Sequence, residues 1–74
     1  MGLQEFITDF ESQFEGIEKG SIEAATEFKK ATGWDSMTAM LVIDMVSEKY
    51  GKILTADDLR SCKTVEDLFN KLKD

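Results

Sequence analysis

The sequence predicts an all-α domain: a small antiparallel four-helix bundle, three main helices plus one short helix, with a long first loop. Three observations carry this expectation. Apolar residues recur at helical spacing in three separate segments. Good capping residues stand at the ends of those segments. Nothing alternates with a period of two over more than a few residues, so no strand is expected.

The elements follow in chain order. Leu3, Phe6, Ile7, Phe10 and Phe14 make one stripe at 100° per residue and predict a first helix over 3–15. Gly16 and Gly20 break the chain after it. Residues 16–35 form a long connection, and a connection of this length in a small domain is usually functional or partly structured. Ile22, Ala25 and Phe28 suggest a helical turn inside it, with Phe28 pinning the loop to the core. Ala39, Val42, Ile43, Val46 and Tyr50 predict a second helix over 36–50, with Asp35 as N-cap and Gly51 as the terminating glycine. Thr55 and Asp58 have capping-box spacing before a short turn over 56–61 whose one large apolar residue is Leu59. Thr64 and Asp67 repeat that spacing before a last helix over 65–72, striped by Val65, Leu68, Phe69 and Leu72.

Composition bounds the functions open to such a bundle. The 74 residues include no proline, no histidine and one cysteine, and are read as a single domain over 1–74. A chain this short buries only about 60% of its unfolded surface, so its core must be efficient. Cys62 has no intrachain partner for a disulfide, and one Cys without any His cannot build the usual metal site. The net charge is −6, from fifteen acids against nine bases. Residues 1–35 carry eight acids and three bases, net −5; residues 36–74 carry seven and six, net −1. Phosphate-rich partners are drawn to basic patches, so nucleic acid and anionic membranes are not expected. No basic-then-apolar leader opens the chain, Phe6 stands where a myristoylation motif needs Ser or Thr, and no apolar run nears a membrane span. A cytoplasmic monomer is expected.

The second helix has more apolar residues than one core stripe needs. On a wheel centred on Ala39, Met40 lies at 100°, Met37 at 160°, Leu41 at 200° and Met45 at 240°, with Asp44 and Glu48 on the same outer side. One reading makes this a central helix buried on most sides. The other makes Met37, Met40, Leu41, Asp44, Met45 and Glu48 an exposed docking face, for which flexible methionines suit several partners.

Ser36 stands where the long loop meets that helix, within Gly33-Trp34-Asp35-Ser36-Met37. Unpaired N–H groups and the positive end of the helix dipole collect there, a setting that holds a phosphate well. Asp35 opposes an added phosphate slightly by repulsion, yet can cap the helix or help bind a metal ion brought by a modifying enzyme. Local chemistry alone leaves open that Asp35 or Ser36 is simply a cap.

With these residues the chain resembles the acyl carrier proteins over essentially its whole length. Phe28, Gly33-Trp34-Asp35-Ser36-Met37, Glu48-Lys49-Tyr50-Gly51, Ile53, Leu59 and Thr64-Val65-Glu66-Asp67-Leu68 follow the family's order. The resemblance implies that a phosphopantetheinyl transferase attaches the 4′-phosphopantetheine of coenzyme A to Ser36. The arm's thiol would carry acyl groups as thioesters to fatty-acid or related biosynthetic enzymes. It also implies that the second helix docks partner enzymes, and that the acyl chain shelters among core residues such as Val46, Leu59 and Leu68. Thr38, Leu41 and Ser47 stand at positions often acidic in housekeeping fatty-acid carriers, and Thr32 replaces an apolar residue common before the motif's Gly. Docking is therefore expected to be more hydrophobic and less electrostatic, which leaves a specialised lipid or polyketide-like pathway open.

An enzyme is not expected. No His, no metal cluster and no Cys–base pair exist to assemble a nucleophilic or general-base site. Lys29 and Lys30 neighbour Ser36 only loosely in sequence, and Cys62 suits a small buried apolar role. A helical interaction module without a prosthetic group, or a peptidyl or aminoacyl carrier, are the alternatives.

Overall fold

Helices form where apolar periodicity and capping chemistry coincide. The computed structural model describes residues 2–73; Met1 and Asp74, the ends of the expected 1–74 domain, lie outside the described residues. The α-helices are α1 (Leu3–Glu11), α2 (Ser36–Tyr50), α3 (Ala56–Ser61) and α4 (Val65–Leu72), with a 3₁₀ turn at Phe28–Lys30. There is no strand among the described residues. α1 packs on α2 and α4, and α3 packs on α2 and α4, closing a helical bundle.

α1 ends four residues before the expected 15, for a local reason. The Ser12 hydroxyl donates to the Asp9 carbonyl at 2.7 Å. The amides of Gln13 and Phe14 then bond three residues back, to Phe10 and Glu11, both at 3.1 Å, so the helix tightens and stops. The Glu11 carboxylate folds the following loop onto this end by accepting from the amides of Gly20 (2.8 Å) and Ile22 (3.0 Å). Phe14 still reaches the core, carried there by the turn.

The expected turn around Ile22, Ala25 and Phe28 is displaced to Phe28–Lys30. Ile22 and Phe28 are buried, but Ala25 is exposed. The carbonyls of Ala24 and Thr26 accept instead from the Glu66 (2.9 Å) and Val65 (3.1 Å) amides at the head of α4. Those bonds satisfy helix-end donors that lack intrahelical partners, and they hold against α4 a tight turn in which the Thr26 amide donates to the Glu23 carbonyl at 3.1 Å.

The caps form as the sequence predicts. Thr55 with Asp58, and Thr64 with Asp67, are complete capping boxes. Gly51, at φ +64°, ends α2 in the left-handed conformation that glycine adopts without a Cβ penalty.

All seven aromatic residues of the chain join one contact network. Phe6 touches Phe10, Tyr50 and Phe69; Phe10 continues to Phe14, Phe28 and Trp34. Val42, Val46, Leu54, Leu59, Val65, Leu68 and Leu72 join the same buried cluster from α2 onward. At the far end of α2 the Asp9 carboxylate accepts from Lys49 Nζ at 2.7 Å and from the Tyr50 hydroxyl, tying α1 to α2. Burial raises the Asp9 carboxyl, but these bonds outweigh it and hold the group below its ordinary value. No helix among the described residues is long and apolar enough to cross a membrane.

Candidate functional site

Ser36 is the first residue of α2, and its side chain is exposed. Asp35 caps the helix from an extended backbone, and its Oδ1 accepts from the Thr38 amide at 2.8 Å. Hydrogen bonds from Thr38 and the Met37 amide hold the Asp35 carboxyl below its ordinary value. It is therefore an anion at neutral pH, beside the helix N-terminus that favours one.

The segment before Ser36 is anchored from three sides. Trp34 lies half-buried, edge-on to Phe28 at 5.0 Å and stacked parallel to Phe10 at 6.2 Å. Gly33 has φ +95°, which L side chains rarely adopt, and an added Cβ would stand 3.5 Å from the Phe14 ring. The Thr38 hydroxyl reaches back to donate to the Gly33 carbonyl at 2.9 Å. Ser36 thus projects from a rigid edge of the aromatic core.

A groove of about 900 Å³ begins at Ser36 and runs along α2, lined by Met37, Met40, Leu41, Ile43, Asp44 and Ser47. Met37 and Met40 are each 69% exposed and Leu41 43%, while Asp44 and Glu48 are exposed beside them. Neither reading of α2 as wholly buried nor as turned outward with all its methionines fits. One face packs inward, and the other is free.

One residue of the wheel is corrected, and the burial of a second on the same helix has the same origin. Met45, expected on the outer face, is only 9% exposed and belongs to the core cluster. Thr38, at a position often acidic in housekeeping fatty-acid carriers, is 6% exposed. The cause is the same for both. The buried arc runs Thr38, Val42, Met45, Val46, so it centres between Val42 and Met45 rather than on Ala39. Ala39, Ile43 and Tyr50 of the expected stripe are accordingly half-buried. Val46, Leu59 and Leu68 all lie in the hydrophobic core cluster.

Sequence reasoning missed the structural use of Trp34 and the burial of Thr38. It also missed Ile53, which is 82% exposed just beyond α2. An aromatic directly before an Asp-Ser cap was the available signal for the first. No sequence signal marks the other two.

The sequence model of the phosphopantetheine attachment site matches residues 5–72, nearly the whole chain. The chain belongs to the phosphopantetheine attachment site family. Neither a curated protein nor a solved structure gives a match. As a phosphopantetheine carrier domain, the protein is a substrate carrier and not a catalyst, and its cofactor is a covalent 4′-phosphopantetheine. Membership implies two kinds of partner, an enzyme that installs the arm and synthase enzymes that load and unload it. It also displaces the reading of a bare interaction module. The geometry suits the group: an exposed serine hydroxyl, a helix N-terminus beside it for the phosphate, and an open apolar groove leading away.

Proposed function

We propose that Ser36 bears the phosphopantetheine and that the protein is an acyl carrier serving fatty-acid or related, including polyketide-like and specialised-lipid, biosynthesis. The observation that carries this is the exposed Ser36 at the head of α2, held by the Asp35 cap and the Trp34 anchor. When bound, the arm supplies a terminal thiol that holds acyl groups as thioesters.

The chain's own residues have simple tasks. The Asp35 cap already takes the Thr38 and Met37 amides, so the positive end of the α2 dipole would offset only part of the phosphodiester's charge. Met37, Met40 and Leu41 supply desolvated anchors for partner enzymes, with Asp44 and Glu48 as a charged rim. Val46, Leu59 and Leu68 line the part of the core into which an acyl chain inserts.

Incubation of the apo-protein with coenzyme A and a broad-specificity phosphopantetheinyl transferase tests the assignment. The intact mass should rise by one phosphopantetheine, and Ser36→Ala should gain nothing. Full modification of Ser36→Ala would refute it.

A further inference from the structure

Thr38 is the one buried polar residue among the described residues, and both of its hydrogen bonds end on the segment that presents Ser36. Its amide donates to Asp35 and its hydroxyl to the Gly33 carbonyl. Gly33 holds a left-handed conformation against Phe14, and Trp34 is wedged between Phe10 and Phe28. The peptide from 33 to 35 is therefore clamped from α2 by one side chain and from α1 and the loop by aromatic packing. The Ser36 side chain makes no hydrogen bond among the described residues, and the serine inherits its place from this clamp.

From this geometry we infer that Thr38 is a positioning residue for modification of Ser36: its buried hydroxyl fixes the Gly33 carbonyl and so holds the serine in the orientation the transferase accepts. This rests on Ser36 being the attachment site. Removing the hydroxyl frees the carbonyl of Gly33, a surface residue, to turn to water, and the segment loses its tie to α2. The transferase then meets the competent orientation in only a fraction of molecules. Apparent affinity falls by that fraction, while turnover of the bound complex is kept.

The experiment compares wild type, Thr38→Val, Thr38→Ser and Val65→Ala as apo-proteins, reading holo formation by intact mass at varied carrier concentration. Val65 is fully buried in α4 and serves as a control for lost stability alone. Thr38→Val, which keeps the side-chain shape, should raise KM about tenfold, in line with the loss of one hydrogen bond, with kcat within about twofold. Thr38→Ser should restore KM, and Val65→Ala should leave it unchanged although its melting temperature falls. Wild-type KM in Thr38→Val, or a rise that Thr38→Ser does not reverse, would overturn the inference. So would an equal rise in Val65→Ala. If wild type itself is never modified, the assignment of Ser36 fails instead.

Discussion

Leu41→Ala and Val46→Ala form a pair that separates the two faces of α2. Val46 is fully buried, so its truncation removes two packed methyl groups and leaves a cavity, at a cost of about 2 kcal/mol. In a domain of 60–100 residues each kcal/mol shifts the melting temperature by about 4–8 °C, so a fall of roughly 8–16 °C is expected. Leu41 is already 43% exposed. Full burial of a leucine contributes about 1.5–3 kcal/mol, so little more than half of that is at stake, and the better helix propensity of alanine returns part of it. The folding loss should stay near 1 kcal/mol or below. At a partner interface the ranking reverses. Leu41 as an anchor should lose about 1–3 kcal/mol of binding, a five- to 150-fold weaker Kd, whereas Glu48→Gln on the rim should mainly slow association. The assay pairs thermal unfolding with affinity for the transferase. If Leu41→Ala unfolds the domain as badly as Val46→Ala while Glu48→Gln abolishes binding, the outward assignment of this face is wrong.

Two further outcomes follow from charge. With a net −5 crowded into residues 1–35, screening by salt should relieve repulsion and raise the melting temperature between low and moderate ionic strength; an unchanged or lower value would count against this. Acid should act oppositely on the carboxylates that hold amides. The folded-state pKa of Glu11 is lowered by the Ile22 and Gly20 amides, and those of Asp58 and Asp67 by the capping Thr55 and Thr64 amides. A lowered folded pKa means stability that is present above the ordinary values of 4.5 and 3.8 and is lost as pH falls through the folded pKa. The melting temperature should therefore drop on acidification below those values, and less steeply in Glu11→Gln. An acid limb identical in that variant would show that Glu11 does not hold the loop.

What the sequence revealed was local in origin. Asp35 and the Thr55/Asp58 and Thr64/Asp67 pairs cap helices through bonds spanning three residues, so spacing alone displays them. Ser36 was legible for the same reason, as the residue following such a cap. What stayed hidden depends on neighbours far along the chain. The rotation of α2 that buries Met45 and Thr38 is set by where α1 and α3 pack, and a helical wheel carries no origin of its own. The folding of the first loop back onto the end of α1 needs Glu11 to find amides nine and eleven residues away. The Asp9 clasp to Lys49 and Tyr50 spans about 40 residues. The loop's docking needs the head of α4, whose amides bond the Ala24 and Thr26 carbonyls. Ile53 is exposed, and nothing in the structure explains why an apolar residue stands there.

The central claim concerns one hydroxyl, and peptide mapping of the protein purified from its native cell tests it most directly. Cleavage after lysine yields a peptide over residues 31–49 that contains two serines, Ser36 and Ser47. Fragmentation of that peptide should place one phosphopantetheine, with its acyl group, on Ser36. An arm found on Ser47 or on any other serine, or a native peptide unmodified throughout, would contradict the account.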